Sequence, residues 1–181
     1  PTVKHEEWKY TRLSSVLGKD FSYATDATVI TADDVNEFRL PGNEMANELV
    51  FVNGIYQPQL STIRSSADEL VIMPLSEAVK GEYKAVVDNN LGHSASYHKD
   101  GINALNNAFA HQGLFISIKK NKAVEHPLYC YYINDARTVS VFSQPRTLIH
   151  VNVNAEVKLV EEEVTLGSSD SFINKISEIV V

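Results

Sequence analysis

Residues 49–56 read Leu49-Val50-Phe51-Val52-Asn53-Gly54-Ile55-Tyr56, and this stretch decides how the first half of the chain folds. Two runs of apolar, β-prone residues are joined there by Asn53-Gly54. Because Asn-Gly supplies the two positive-φ positions of a type I′ turn, the stretch predicts a β-hairpin. Pro58 should end the second strand, since proline cannot donate a hydrogen bond to a strand ladder.

The residues that follow the hairpin mix strand and helix signals. Residues 70–73 (Leu-Val-Ile-Met) predict a short buried strand, and residues 74–79 predict a helical turn. The clearest helical pattern spans about residues 101–112, where apolar residues recur at i, i+3 and i+7. Asp100 is placed to cap this helix, and Gly113 is expected to end it in the left-handed conformation.

The chain changes character after Gly113. Strand-like runs, separated by polar turns such as residues 134–136, follow at residues 114–118, 128–133, 138–142, 147–153, 157–166 and 172–181. Repeated short strands suit a sandwich, a barrel or a β-solenoid. The solenoid fits best, because Ile149, Val151 and Val153 alternate, and Val157 and Leu159 do the same one turn later.

These patterns predict two regions, a mixed α+β region with the hairpin over residues 1–99 and a mainly-β region over residues 100–181. The second region would contain a connecting helix and the first rungs of a truncated β-solenoid. The expected boundary lies at about residues 90–100, in a polar stretch that includes Asn89-Asn90 and Gly92.

Composition excludes several classes of protein. The chain has 181 residues, of which 44% are apolar and 22% charged, as in ordinary globular proteins. Lysine and arginine number 16 against 23 aspartate and glutamate, a net charge of −7 that argues against a nucleic-acid partner. No apolar run approaches the ~20 residues of a membrane helix, and the first residues lack the apolar stretch of a signal peptide. We therefore expect a cytoplasmic protein without a membrane partner.

The histidines and the one cysteine give no convincing site. No histidine pair on a predicted helix has the i, i+4 spacing of a metal site, and Pro127 separates His126 from Cys130. A single cysteine also excludes an internal disulfide. Cys130 lies between two tyrosines in a β-prone run with no activating base nearby, which favours a buried, hydrophobic role over a nucleophilic one.

Glu161-Glu162-Glu163 is the stretch richest in carboxylates. On a strand, Glu161 and Glu163 share one face about 6.5–7 Å apart, near the lower end of the separation in inverting glycosidases. A polysaccharide-active β-solenoid enzyme with these two residues as acid and base is therefore one hypothesis. A solvated strand face is the favoured alternative. Phosphate-binding loops, nucleophile elbows and zinc-binding helices are absent from the sequence, so no catalytic, cofactor-binding or metal-binding residue is assigned, and scaffolding or assembly is the preferred function.

Four segments, taken in chain order, carry a family resemblance. They are His5-Glu6-Glu7-Trp8-Lys9-Tyr10-Thr11; Leu49 to Tyr56 with Leu60-Ser61; Ala104 to Phe109 leading to Gly113-Leu114-Phe115-Ile116 and His126-Pro127-Leu128; and Gln144-Pro145-Arg146-Thr147-Leu148-Ile149 with Glu161 to Glu163, Asn174 and Glu178. Together they resemble the SufB/SufD family of iron–sulfur cluster assembly proteins, and the SufD branch in particular. For Trp8 and Tyr10, packing in a core or an interface is the expected role.

The resemblance implies a non-catalytic scaffold subunit that pairs with SufB and, with it, docks the ATPase SufC in a cytosolic complex. Clusters are built transiently on that full complex, and no cofactor is expected on this chain alone. The family's central region is a right-handed parallel β-helix, and this chain matches the N-terminal portion with the opening rungs. The remaining rungs, the C-terminal helical region that docks SufC, and the cysteine and histidine associated with cluster formation have no counterpart here. No site residue is therefore carried over.

The last residues, 172–181, are β-prone and no capping element follows them. Terminal rungs of a solenoid need a polar cap, and an open edge is a template for pairing with another chain. The sequence therefore predicts that the isolated chain self-associates through this edge or that its last strand frays.

Overall fold

The computed structural model describes residues 6–11, 13–23, 30–94 and 100–181 of the chain. Short helical elements precede Gly113 in the described part. They are 3₁₀ turns at Glu6–Trp8, Asn43–Met45, Pro58–Leu60 and Ala110–Gln112, and helices α1 Leu13–Leu17, α2 Ala32–Asn36, α3 Leu75–Ala78, α4 Lys84–Asn90 and α5 Gly101–Ala108. The strands are β1 Ser22–Tyr23, β2 Asn47–Val52, β3 Ile55–Tyr56, β4 Leu70–Pro74, β5 Leu114–Ile118, β6 Leu128–Ala136, β7 Val141–Ser143, β8 Arg146–Val151, β9 Leu159–Gly167, β10 Ser171–Ile173 and β11 Ile176–Val180.

The described strands form three sheets, so the fold is mixed α/β with largely parallel pairing. Their strand orders are β1-β7-β10, β11-β8-β5-β4 and β3-β2-β6-β9. Pairing is antiparallel only for β2 with β3 and for β4 with β5. After β5, each strand of the chain lies in a different sheet from the strand before it.

Two groups of three strands repeat the same path. We call β6, β7 and β8 the first triplet, and β9, β10 and β11 the second triplet. Leu128 pairs with Leu159, Val141 with Ser171, and Arg146 with Ile176, all in parallel, a spacing of about 30 residues that is typical of repeat architectures. The sequence shows no exact repeat. The repetition therefore lies in the path of the backbone and in the side chains that stack at paired positions of neighbouring strands.

The largest core cluster lies between the two four-stranded sheets, on what we call their inner faces. Leu49 and Phe51 of β2, Ile116 of β5, and Ile149 and Val151 of β8 meet there and are buried. The rings of Phe51 and Tyr132, which are register partners, stack with their centroids 4.7 Å apart. Burying each such side chain contributes roughly 1.5–3 kcal/mol, so this cluster holds the two sheets together.

Helices and turns cover the outer faces of the same sheets. Leu75 of α3 and Val87 of α4 pack with Phe115 and Leu148 on one sheet. On the other sheet, Val35 of α2 packs with several residues, Val50, Val52, Tyr131 and Ile133 among them. The small third sheet is held by Phe142 and Phe172, whose rings stack 5.2 Å apart across β7 and β10. Helical and sheet layers are thus interlocked through apolar contacts.

The hairpin prediction is confirmed. β2 and β3 pair antiparallel, with Asn53 at φ 50° and Gly54 at φ 86° as the type I′ turn requires. Beyond Gln57, Pro58 begins a 3₁₀ turn instead of continuing the strand. The predicted strand at residues 70–73 and the helical turn after it also appear, as β4 and α3.

Gly113 follows a helical segment, as predicted, but its predicted left-handed conformation is wrong. Its φ is −71°, and α5 ends at Ala108 before a separate 3₁₀ turn. A Cβ atom on Gly113 would lie 2.9 Å from the carbonyl oxygen of Ala110 and 3.0 Å from that of Arg146. Glycine is required here because two backbone segments approach closely. The Asp100 cap is confirmed, since its carboxylate accepts a hydrogen bond from the Ile102 amide at 2.8 Å.

Two predicted strand boundaries are wrong. The expected turn at residues 134–136 is the end of β6, because Asn134, Asp135 and Ala136 pair with β9 and the Asp135 amide donates to Asn53 Oδ1 at 2.8 Å. The single strand expected over residues 172–181 is two strands, β10 and β11, separated by Asn174 and Lys175. Asn174 is buried at this corner, which turns the chain from one sheet into the next.

The two predicted regions share sheets. β2 of the first region pairs with β6 of the second, and β4 pairs with β5. The boundary near residue 99 stays a prediction; residues 95–99 lie outside the described part. Among the described residues, no helix has the length and apolar character needed to cross a membrane.

Candidate assembly surface

The second triplet ends every sheet to which it belongs. β9, β10 and β11 are each the last strand of their sheet, and no described strand pairs with their outer edges. Because all three pair with the first triplet on one side, their open edges face the same direction. We call this surface, with the cavity behind it, the end face. It is one of two sides on which strand pairing ends among the described strands; β1, β3 and β4 are the terminal strands on the other.

An apolar cavity of about 320 Å³ opens at the end face. Its walls include Leu128, Ile149, Val151, Val157, Leu159 and Ile179. Leu159 and Val157 pack on the main core cluster, whereas Ile179 is 53% exposed. The prediction that Val157 and Leu159 point inward is confirmed, but Val153, expected to do the same after Val151, is 73% exposed. The cavity is an extension of the core that remains uncovered.

Glu161 and Glu163 are exposed residues of β9, as the favoured alternative of a solvated strand face predicts, but ion pairs also hold them. They pair with Cys130 and Tyr132, so their side chains share the inner face with these core residues. Lys175 binds both, with its Nζ atom 3.0 Å from Glu161 Oε2 and 2.9 Å from Glu163 Oε1. Glu162 lies on the opposite face, opposite Tyr131.

The surroundings of Lys175 stabilise its charge. Burial lowers the pKa of the ammonium, but the hydrogen bonds that it donates to Glu163 and Glu161 outweigh burial and raise the pKa overall. The ammonium also lies over the Tyr132 ring, 4.7 Å from the centroid. Glu161 accepts two further hydrogen bonds, from Ser177 Oγ at 2.9 Å and from the Tyr132 hydroxyl at 3.2 Å.

This arrangement does not suit the acid and base of a glycosidase. A general acid has to keep its proton near neutral pH, which needs an apolar or anionic environment. The Lys175 ammonium, a cation, lies within 3.0 Å of both Glu161 and Glu163 instead. The pair is therefore an ion-pair cluster around Lys175 that carries one net negative charge.

Cys130 is a buried core residue, as predicted. It is 1% exposed and lies in the main core cluster. Burial raises the pKa of its thiol, and the charge of Glu161 raises it further. A thiol held in its protonated form is a poor nucleophile and a poor metal ligand.

Metal ligands do not gather in the described part of the chain. No group of three or more histidine, cysteine, aspartate or glutamate side chains is positioned to hold an ion among the described residues. His126 Nδ1 lies 2.8 Å from the carbonyl oxygen of Met45 instead. His5 and His98 lie outside the described residues.

A buried polar network lies behind the end face. The guanidinium of Arg146 on β8 donates to Glu178 on β11, and both side chains are at most 2% exposed. Arg146 Nη1 also donates to Asn106 Oδ1 of α5 at 3.1 Å. Glu178 in turn accepts hydrogen bonds from the amides of Gly92 at 2.8 Å and Ser94 at 3.1 Å. One ion pair thus joins both triplets to the helical layer.

Asparagine side chains extend this network along the strand corners. Asn106 Nδ2 donates to the carbonyl oxygens of Pro145, at 3.0 Å, and Asn174, at 2.6 Å. Asn174 Nδ2 donates to Gln144 Oε1 at 2.7 Å and to the carbonyl oxygen of Ile102 at 3.0 Å. Equivalent corners of the two triplets are therefore tied to each other and to α5.

The sequence did not predict that the residues of this network meet in the fold. Gln144, Arg146, Asn174 and Glu178 form one cluster with Asn106. The sequence contains one sign of the network, because Asn106 interrupts the apolar side of the α5 helix. In the structure this polar side chain is fully buried. Tyr10, expected in a core or an interface, is 90% exposed, so a core role is wrong for it.

Comparison with known proteins identifies the family of this chain. Residues 1–130 match the model of the SufBD protein N-terminal region, which covers more than half of the chain. The chain belongs to the SufBD family. It is also 26% identical over 161 residues to an iron–sulfur cluster assembly SufBD family protein of Synechocystis. That alignment covers 89% of this chain and 35% of the relative, so the chain spans about a third of the relative's length.

Within the SufBD chain, the matched region contains the hairpin, all five helices and β5, and it ends inside β6. The network residues Gln144, Arg146, Asn174 and Glu178 lie beyond it. They bond back to Asn106, which lies inside the matched region. The buried network therefore attaches the two triplets to the SufBD N-terminal region.

Proposed function

We propose that this chain is the N-terminal portion of a SufD-like, non-catalytic scaffold subunit for iron–sulfur cluster assembly. The observation that carries the proposal is the match of residues 1–130 to the SufBD N-terminal region. The name of the Synechocystis relative supports the same role. In this proposal the full-length protein pairs with SufB, and both work with the ATPase SufC in the cytoplasm.

The two triplets are, in this proposal, the opening rungs of a right-handed parallel β-helix. Their in-register parallel pairing and the spacing of about 30 residues support it. Stacked aromatic rings at Phe142 and Phe172 are a further sign, because residues at equivalent positions of stacked rungs lie directly above one another. Such an architecture supplies rigid, repeating surface for partner subunits and needs no catalytic groups.

This chain alone holds no cluster in the proposed mechanism, since the cluster is assembled transiently on the full complex. A cluster typically takes four thiolates, and Cys130 is the one cysteine of the sequence. Its side chain is buried in the core. Anaerobic reconstitution of the 181-residue chain should leave no stoichiometric iron and sulfide; a stoichiometric cluster lost in Cys130→Ser would overturn this part of the proposal.

The scaffold role is tested with the full-length protein. It is co-expressed, carrying an affinity tag, with the SufB-type and SufC-type subunits of the same organism. We expect both subunits to co-elute in fixed ratio. The 181-residue chain, tagged in the same way, should not retain SufC. Elution of the full-length protein without SufB and SufC would overturn the proposed partnership.

The hydrolase hypothesis is left without support by the ion pairs of Lys175. Its decisive test is an assay on polysaccharides with Glu161→Gln. Hydrolysis by the wild type that disappears in Glu161→Gln would overturn the scaffold proposal, whereas no hydrolysis by the wild type is the expected result.

A further inference from the structure

Each triplet follows a tight turn that contains an asparagine in the left-handed conformation. The first turn, residues 119–122, lies between β5 and β6, and the second, residues 152–155, lies between β8 and β9. In each turn the amide of the last residue donates to the carbonyl oxygen of the first, at 3.3 Å and 3.0 Å respectively. The third residues are Asn121, with φ 61°, and Asn154, with φ 55°. A positive φ at the third position is typical of a type II turn, which favours glycine or asparagine there.

The two turns are in direct contact. The Asn121 amide donates to the carbonyl oxygen of Val153 at 3.1 Å, and Asn154 Nδ2 donates to Asn121 Oδ1 at 3.2 Å. Just beyond the turns, Ala123 and Glu156 form a parallel bridge. The chain that leaves β5 and the chain that leaves β8 are therefore joined before β6 and β9 begin.

The asparagines also precede the next core residue by a constant interval. A valine lies three positions after each of them; Val124 belongs to the main core cluster, and Val157 packs against it. The pattern Asn-x-x-Val thus begins in both turns, at a separation of 33 residues. A shift of one residue in strand pairing would turn every following side chain to the opposite face, so the start of each strand has to be fixed.

We propose that Asn121 and Asn154 form a register lock, in which a left-handed backbone at each turn and a side-chain bond between the turns fix where β6 and β9 start. Most residues are strained in this conformation because Cβ approaches a carbonyl oxygen, whereas asparagine adopts it more readily. Alanine would therefore disturb the backbone and remove the bond, whereas glycine would remove only the bond. The lock concerns strand pairing within the described residues, and it holds or fails independently of the role in cluster assembly.

The first test separates the backbone requirement from the side-chain bond. In urea unfolding, Asn121→Ala should raise the equilibrium constant of unfolding about tenfold, which corresponds to about 1.4 kcal/mol. Asn121→Gly should raise it by less, because glycine adopts a positive φ without strain. The matched control is the neighbouring Lys120, whose φ is not positive. At that position glycine should destabilise more than alanine, because glycine gains more freedom in the unfolded chain.

The second test addresses the bond between the two asparagines. Aspartate also tolerates the left-handed conformation, so Asn121→Asp or Asn154→Asp alone should change stability little, since the remaining amide can still donate. With both substitutions, two carboxylates face each other and no donor remains. The equilibrium constant of unfolding should then rise about threefold beyond the combined single effects, because like charges at opposed positions destabilise strand pairing.

Hydrogen exchange provides a local measurement. The Val124 amide donates to the Glu156 carbonyl oxygen, and the Glu156 amide to that of Lys122, both at 2.9 Å. Asn121→Ala should accelerate exchange at these two amides more than at the amides of β2. Equal effects of alanine and glycine at Asn121, additive effects of the two aspartates, or a uniform change of exchange in both places would each overturn the register lock.

Discussion

The first and second triplets follow the same backbone path, but they differ in burial and in the chemistry of their inner faces. Ile149 and Ile179 are register partners, yet Ile149 is 3% exposed and Ile179 is 53% exposed. Cys130 and Tyr132 of the first triplet are replaced at the equivalent positions by Glu161 and Glu163. The first triplet is covered by strands on both sides, and the second on one side.

This difference shows that burial in a stacked architecture depends on neighbours along the stack. The first triplet has paired strands on both sides, whereas no described strand pairs with the outer side of the second triplet, so the inner face of the second triplet is less buried. Charged residues at that position make the exposed surface tolerable in water. The contrast between the two triplets predicts different responses to mutation.

The largest loss of stability is expected from breaking the buried ion pair that joins the two triplets. Arg146→Met leaves Glu178 buried without its cation, and breaking a buried pair in this way costs about 3–5 kcal/mol. Urea unfolding followed by circular dichroism measures the change. Replacing both partners, in Arg146→Met with Glu178→Leu, should recover part of the loss, because no buried charge remains.

The matched control for this pair is Lys84→Ala. Lys84 and Asp88 form an exposed pair 2.5 Å apart on α4. Removing it should change the free energy of unfolding by at most about 0.5 kcal/mol. A loss of under 1 kcal/mol in Arg146→Met, similar to the control, would show that the buried pair does not hold the triplets together.

A smaller loss of stability is expected from truncating Ile149, the isoleucine of the first triplet that pairs with Ile179 of the second. Ile149→Ala removes a buried side chain and should cost about 2–5 kcal/mol, depending on how far the site collapses. Ile179→Ala, at the equivalent position of the second triplet, should cost well under that, within about 1 kcal/mol. The same urea titrations compare them, and equal losses would mean that the end face is covered in solution.

The free energy of unfolding should depend on pH because Cys130, in the first triplet, is buried. The pKa of Cys130 is raised in the folded chain, so its contribution to stability is complete below the unfolded pKa of about 8.5 and declines at higher pH. Between about pH 9 and 10 the free energy of unfolding should fall by about 1.4 kcal/mol per pH unit from this thiol. Cys130→Ala should flatten that slope, whatever its effect at pH 7. An unchanged slope would place the thiol in contact with solvent.

The free energy of local opening, as hydrogen exchange measures it, should be smallest in the last strands. The sequence predicts self-association or fraying of residues 172–181, and the acidic run on β9 favours fraying of a monomer. Hydrogen exchange should show amides of β11 opening at a cost close to zero near Val180, well below those of β8. Sedimentation should give a monomer. Strong protection of residues 172–181 in a strict monomer would mean that this edge is covered.

Local signals predicted the hairpin, β4, the Asp100 cap and most strands, because Asn-Gly, a capping carboxylate and alternating apolar residues act over a few neighbours. The sequence did not predict the end of β6, whose polar residues 134–136 looked like a turn. That strand is held by Asn53, more than eighty positions earlier, through its contact with the Asp135 amide. The role of Gly113 was missed for the same reason, since the Arg146 carbonyl that it approaches is distant in sequence.

The candidate site, too, was predicted from the sequence only in part. Composition and spacing indicated that Cys130 is a core residue and that the glutamate run has no clear chemistry. The sequence could not show that Lys175 lies between Glu161 and Glu163, because β9 and the β10–β11 corner come together only when the second triplet closes. Nor could it show that Arg146 and Glu178 meet, a contact that requires two sheets and a helix.

The ion pair between Arg146 and Glu178 also bears on the order of events as the chain leaves the ribosome. The counter-ion of Arg146 is Glu178, which follows it by 32 residues in the sequence. Until β11 has been synthesised, Arg146 cannot be buried under α5 without an unpaired charge, so α5 cannot dock fully on β8. The amides of Gly92 and Ser94 donate to the same carboxylate, which follows them in the sequence by 86 and 84 residues, so these hydrogen bonds also form late. The α5 helix and the segment that contains Gly92 and Ser94, although synthesised first, should therefore be among the last parts of this chain to reach their final packing.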